Sequence, residues 1–206
     1  GHGNLGKVYP KYKYGVEGDT PSFLYLLPNG LNNPEKPTQV SWGGYFEWGK
    51  GEDGATNAYT NFTGSAYDIC NKYAQYFYPA TFNNFAARMD WADKGKGNRN
   101  PVVILNGDQG FAPVSIDKKP GKLIRLDASK SYDPENDTLR FKWWILPEAG
   151  TYRGQVTVSN ENAAQTKVQI PVDAAGKNIH VICEVTDNGE PNLTSYRRII
   201  IHCIMP

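Results

Sequence analysis

Two clusters of residues in this chain have the types and spacing to do chemistry. The first is acidic: Asp133-Pro134-Glu135-Asn136-Asp137, with Asp127 shortly before it and Asp187 further on. Carboxylate oxygens are hard ligands, and a loop that presents several of them suits Ca2+, which takes six to eight oxygens. The same residues also make turns, because aspartate accepts backbone N–H groups and proline presets φ. Asp133 and Asp137 therefore carry two readings, a plain turn or a Ca2+ site completed by Asp127 or Asp187. The second cluster is aromatic: Trp42, Tyr45, Phe46 and Trp48 fall within seven residues, interleaved with Gly43, Gly44 and Gly49. A flat ring can bury the C–H-rich face of a sugar, and glycines let a polysaccharide approach the backbone. These four are the expected carbohydrate contacts, the alternative being rings that fold back over a core.

Other reactive side chains lack such company. His2, His180 and His202 are scattered, without the spacing of a zinc site, and the last two alternate outward on strand patterns. Cys70 lies in a Tyr-rich helical stretch with no His–Asp pair near it. Cys183 and Cys203 alternate into apolar positions of strands expected to be neighbours, where they read as small buried hydrophobes. A disulfide between them is the alternative if register brings them together.

The elements that must position these residues differ between the two halves. From residue 98 onward, strand patterns recur at sandwich spacing: 101–106, 112–117, 122–127, 139–146, 154–159, 165–172, 178–187 and 196–204. Asn106-Gly107, Pro120-Gly121, Ala149-Gly150 and Asn188-Gly189 supply the turns. Leu139, Phe141, Trp143 and Ile145 point one way, and Arg140, Lys142, Trp144 and Leu146 the other. Ile179, Val181, Cys183 and Val185 likewise alternate with His180, Ile182, Glu184 and Thr186. Residues 98–206 are thus expected to form one β-sandwich.

Residues 1–97 read otherwise. Residues 28–66 are crowded with Gly, Asn, Pro and Thr and hold no sustained period, so long surface loops are expected. Helices are expected at about 20–27, capped by Asp19 or Thr20, and at 67–78 and 81–92 with a break at Pro79. Phe82, Phe85, Ala86 and Met89, with Trp91, recur at near-helical spacing. Such a set lacks a core of its own and requires something further to pack against.

Composition narrows the partners. The 206 residues carry 22 basic and 21 acidic side chains, a net charge of +1, which gives no reason to expect nucleic acid. No apolar run approaches the ~20 residues of a membrane span. The opening residues GHGNLGKVYPKYKY carry no signal-peptide pattern and read like the interior of a protein. Abundant Tyr, Trp, Asn and Gly beside three Cys lean toward an exported carbohydrate-handling protein.

Resemblance goes further than composition. Residues 126–137, LDASKSYDPEND, followed by a strand with a central Trp, resemble the signature of PKD-type immunoglobulin-like domains. GVEGDTPSFLYLLPNGL at 15–31, Trp42-Gly43-Gly44 and FNNFAARMDW at 82–91 resemble the last third of a nucleoside-hydrolase-like domain. That order resembles a bacterial family of cellulose-binding proteins, in which such a domain precedes an immunoglobulin-like one. The resemblance implies an α+β chain: residues 1–97 as the C-terminal portion of the α/β hydrolase-like domain, and 98–206 as the sandwich. It implies that the first part of the hydrolase-like domain, with its Asp-rich motif, is a missing partner. It places Asp19 where a nucleoside hydrolase supplies a late carboxylate to bound Ca2+, while Tyr45 stands where the family pattern has Arg. The implied partners are a polysaccharide or a nucleoside-like small molecule. The role expected for this chain is accessory binding or structure, with a metal-dependent nucleoside or glycoside hydrolase as the alternative for a longer protein.

Overall fold

The computed structural model describes residues 23–205, apart from 52, 62 and 63. Asp19, Thr20 and His2 lie outside the described residues, as do residues 20–22 of the expected first helix; of the remainder only 23–24 are helical, and 25–27 turn away.

Strands β1 (Glu47–Lys50) and β2 (Asn57–Thr60) form a hairpin, and helix α1 spans Gly64–Lys94. The sandwich follows: β3 (Ile104–Leu105), β4 (Asp108–Gln109), β5 (Val114–Lys118), β6 (Leu123–Asp127) and β7 (Arg140–Ile145). A single 3-10 turn over Pro147–Ala149 leads to β8 (Thr157–Ser159), β9 (Gln165–Gln169), β10 (Asn178–Thr186) and β11 (Thr194–Cys203). One sheet has the order β5-β11-β10-β7 and the other β6-β9-β8. β5 joins β11 in parallel, whereas β10 runs antiparallel to both β11 and β7.

The smaller sheet is one-sided. In β6, Ile124 and Leu126 point in between exposed neighbours, and in β9 Thr166 and Val168 do the same. That is the alternation of an antiparallel sheet with one wet face. The core between the sheets holds Trp143, Val168, Ile179, Val181, Cys183, Val185, Ile199 and Ile201, with Leu139, Phe141 and Ile145 packed at its edge. The alternation read from 139–146 and 178–186 is therefore the one adopted.

The larger sheet is buried on both faces. A second core joins Trp144, Leu146, Ile182 and Tyr196 of the outer face to Leu31, Val40, Trp42, Tyr73 and Phe77. Residues 29–42 are thus a strap laid on the sheet and not the surface loop their composition suggested. Arg198, fully buried, holds it: Nε donates to Leu31 O at 2.7 Å and Nη2 to Val40 O at 2.6 Å. His180, expected to face solvent, is buried beneath the strap beside Arg198 Nη1 at 3.1 Å. Glycine-, Asn- and Pro-rich chain can be buried here because its backbone polar groups find partners. Asn29 Oδ1 accepts the N–H groups of Leu31 and Asn32, and Asn32 Oδ1 accepts that of Trp42.

Helix α1 continues through Pro79, where a break was expected. Proline removes one intrahelical bond and crowds the carbonyl four residues earlier. Here both Gln75 and Pro79 are exposed, so water can satisfy that carbonyl. The buried face, Ala66, Tyr73, Phe77, Asn84 and Ala87, stays continuous across the proline. Phe82, Phe85 and Met89 form a different stripe and are exposed at 49%, 59% and 49%.

The cysteines are free. Cys183 pairs with Arg197 in the β10–β11 ladder and Cys203 lies beyond the other end, so no disulfide geometry arises.

Candidate functional site

The aromatic cluster splits between the core and the surface. Trp42 is 4% exposed; its ring meets Tyr196 edge-on at 6.2 Å, and Nε1 approaches the Tyr196 hydroxyl at 3.4 Å. It cannot present a face to a sugar, and its place in the expected set is corrected: the strap needed a large apolar side chain to fill the second core. Tyr45 packs at the edge of that core, with its hydroxyl donating to Glu47 at 3.2 Å. Burial and the neighbouring Glu47 charge raise its pKa. Phe46 is half-buried. Gly44 also serves packing, since a Cβ there would fall 2.5 Å from Cys70 Sγ and its φ is +94°.

Trp48 is the member that faces solvent, 60% exposed. The hairpin register sets it opposite Tyr59, itself 49% exposed, and the two rings lie 5.0 Å apart at 60°. Neither the hairpin nor Tyr59 was expected from sequence, because strands of four residues, EWGK and NAYT, are short enough to hide among turn residues. The hairpin tip is fixed by Asp53, whose carboxylate accepts the N–H groups of Ala55 and Thr56, both at 2.9 Å. The hydroxyl and N–H donors of Thr56 hold the Asp53 pKa below its ordinary value. Two rings at 60° are not one flat platform. Their contact is edge-to-face, each ring keeping exposed surface on a narrow ribbon.

A cleft of about 510 Å3 lies where helix, strap and sandwich meet, lined in part by Asn84, Arg88, Asn100 and Phe111. Three of its side chains bond one another: Arg88 Nε donates to Asn84 Oδ1, and Asn84 Nδ2 to Asn100 Oδ1, each at 2.9 Å. Asn29, also on its wall, has a buried amide nitrogen without a partner.

The helix and sandwich are joined by a charged patch around the stacked rings of Tyr73 and Trp144. Glu148 accepts from Lys72 Nζ at 2.7 Å and from the Tyr73 hydroxyl at 2.5 Å. Burial pushes its carboxyl up, but the Lys72 and Tyr73 donors outweigh that and leave it below its usual range. Burial, with Glu148 and Glu184 respectively, raises the hydroxyls of Tyr73 and Tyr76.

The acidic residues occupy a turn, as their sequence allowed. Asp133 is buried and its Oδ1 accepts the N–H groups of Glu135 at 2.8 Å and Asp137 at 3.1 Å. Asp127 is engaged elsewhere, by Ser129 N at 2.8 Å and Gln165 Nε2 at 2.7 Å.

A four-plus-three-stranded sandwich defines an immunoglobulin-like module, with a helix and a strap packed on its outer face. Known families match both parts in the same order. A family model described as "Cellulose-binding Sde182, nucleoside hydrolase-like domain" matches residues 1–46. Another, "Cellulose-binding protein Sde0182, C-terminal domain", matches residues 123–203. The chain belongs to this cellulose-binding protein family. A solved structure of a nucleoside hydrolase-related hypothetical protein from Saccharophagus degradans, described as associated with carbohydrate metabolism, is 37% identical with a TM-score of 0.82. The match covers 97% of this chain and 50% of that one, so the chain spans about half the length of that relative. A PKD domain from the KIAA 1837 protein is 18% identical over 45% of this chain and 79% of its own, TM-score 0.31. Human CDH23 EC21-23 is 15% identical over 50% of this chain and 33% of its own, TM-score 0.35. At those scores neither adds to the argument. No curated protein matches the chain.

Proposed function

We propose that this chain is an accessory polysaccharide-binding module of an exported protein, with its glycan contact on the β1–β2 hairpin. The observation that carries the reading is the exposure of Trp48 and Tyr59 as a cross-strand pair beside the buried remainder of the cluster. Membership of a cellulose-binding family supports the substrate class. Export fits a polysaccharide ligand, and no helix among the described residues is long and apolar enough to cross a membrane. Each ring stacked on a sugar contributes ~1 kcal/mol, by analogy with aromatic pairs, so binding is weak and needs both rings. Pull-down on insoluble cellulose and other glycans should retain the wild type and lose a Trp48→Ala/Tyr59→Ala variant. Trp42→Ala tests stability instead, because that ring is internal. Equal retention of the double variant would remove the hairpin from the reading.

A second reading has its own support. Phe82, Phe85 and Met89 form an exposed apolar stripe on α1, on the side away from the sandwich core. The relative from Saccharophagus degradans has about as much chain again beyond the match. In this reading the stripe packs against the rest of a nucleoside-hydrolase-like domain, and Asp19 contributes to a Ca2+-dependent hydrolase of nucleosides or glycosides. Chelator-sensitive release of ribose or reducing sugar by a longer protein, abolished by Asp19→Asn, would support it. The same activity in residues 1–206 alone would overturn the accessory role.

A further inference from the structure

The turn at 133–137, the loop at 187–191 and Asn98, in the segment that links helix to sandwich, meet at one end of the sandwich. Thr138 N donates to Asn188 Oδ1 at 2.7 Å, closing turn against loop. Asp187 is completely buried; its Oδ1 accepts from Gly189 N at 3.0 Å, Leu193 N at 2.9 Å and Asn98 Nδ2 at 3.1 Å. Asn98, 7% exposed, gives its other amide hydrogen to Pro191 O at 2.9 Å. Those two acceptors fix the amide orientation and leave its carbonyl oxygen turned the other way.

Three oxygens here have no hydrogen-bond partner although they are buried: Asp133 Oδ2, Asp187 Oδ2 and Asn98 Oδ1. An isolated buried carboxylate oxygen is costly, and two neighbouring carboxylates add repulsion. Burial raises the Asp187 pKa, its three donors lower it, and the charge of Asp133 raises it further. Gly189 permits the close approach: a Cβ there would fall 2.5 Å from Asn98 Cγ and 2.6 Å from Asp137 Oδ2. Thus Asp137 stands against the same Cα as Asn98. Among the described residues, no three acidic, His or Cys side chains already share a point at ligand distance. Uncompensated carboxylates repel one another, and the Asp137 side chain is only partly buried.

We propose that this junction is a Ca2+ site, in which Asp133 Oδ2, Asp187 Oδ2 and the Asp137 carboxylate are the protein ligands, with the Asn98 amide holding Asp187 in place. All three donors are hard, anionic oxygens, and a divalent cation both satisfies the buried lone pairs and removes the repulsion. Water and backbone carbonyls complete the six to eight oxygens Ca2+ takes. Ligands drawn from two separate loops suit its flexible shell better than the strict octahedron of Mg2+. The site would also fix the helix to the sandwich. Asn98 O accepts from Trp91 Nε1 of α1 at 2.8 Å, and the next residue, Arg99, pairs with Glu135 at 2.6 Å.

The test uses residues 1–206, stripped with EDTA and titrated with Ca2+ or Mg2+ in a calorimeter, with thermal unfolding in parallel. Expected are one Ca2+ bound per chain, a Tm that climbs with Ca2+ as ligand linkage requires, and little response to Mg2+. Asp133→Asn disturbs the turn itself, so Asp137→Asn and Asp187→Asn are the informative variants. Asp137 Oδ atoms hold no backbone group, and Asp187→Asn keeps the Oδ1 acceptor. Both variants should fold, match or exceed the wild-type Tm in EDTA, and bind Ca2+ at least tenfold more weakly. Absence of calorimetric binding, unchanged affinity in both variants, or preference for Mg2+ would overturn the proposal. So would variants less stable than wild type in EDTA, the result expected if the carboxylates merely share a proton.

Discussion

Adjacent tryptophans on β7 do different work because a strand sends successive side chains to opposite faces. Trp143 is 1% exposed between the sheets, with Nε1 donating to Ala163 O at 2.8 Å. Trp144 lies on the outer face, its ring centroid 5.4 Å from Tyr76 and 6.3 Å from both Tyr73 and Phe77, with Nε1 reaching Glu184 at 3.2 Å. Trp143→Ala should cost about 3–5 kcal/mol, the range for a large buried aromatic. Trp144→Ala should cost less in denaturant titration, because its ring is half-buried, yet it should increase proteolysis within α1. Equal costs, or unaltered cleavage of the helix, would contradict this division of roles.

At the level of elements, the strap–strand contact depends on an uncharged histidine. Burial, followed by the charges of Arg198 and His202, drives the His180 pKa down to about 3. Arg198 itself is lowered to about 9 by burial, so it remains the cation at neutral pH. A neutral His180 accepts from Arg198 Nη1, and a protonated one would face it as a second cation. With a folded pKa below the unfolded ~6.5, the unfolded chain binds the extra proton. This contribution to stability is therefore whole above about pH 6.5 and declines from there toward about pH 3. Urea midpoints for wild type and His180→Gln between pH 7.5 and 4 should converge as pH falls. A constant gap between them would show that His180 protonates freely in the folded protein. The hairpin behaves differently as an element, since its tip bonds are exposed and its rings face solvent.

On the scale of the whole molecule, the sandwich has a face that the chain before residue 98 covers. Ile182, Leu146, Trp144 and Tyr196 belong to a core whose other half is Leu31, Val40, Trp42, Tyr73 and Phe77. Residues 98–206 alone would expose that apolar surface, and contiguous patches of this kind drive association. The isolated segment should bind a hydrophobic dye and self-associate in size-exclusion chromatography, whereas residues 1–206 should bind less dye. A monodisperse, dye-silent 98–206 would mean that the second core adds little.

Alternation made much of the sandwich legible before any coordinates. Leu139–Phe141–Trp143–Ile145 against Lys142–Trp144–Leu146, and Ile179–Val181–Cys183–Val185 on β10, have a period of two that only a strand satisfies. The order of motifs likewise carried the family, because Asp-Pro turns and Trp-Gly-Gly loops are set by local chemistry. What sequence could not decide was which polar faces stay wet. His180 occupies an outward position that read as solvent-facing, and Trp42 sits in a glycine-rich stretch that read as an exposed loop. Each is buried by contacts between residues more than 100 positions apart, such as Arg198 with Leu31 and Trp42 with Tyr196. The convergence of Asn98 with Asp133 and Asp187 is of the same kind, since the chain brings the linker and two loops together only when the sandwich closes. Local pattern fixed strands, turns and family; burial and the company each polar group keeps were settled by long-range packing, which period and propensity do not encode.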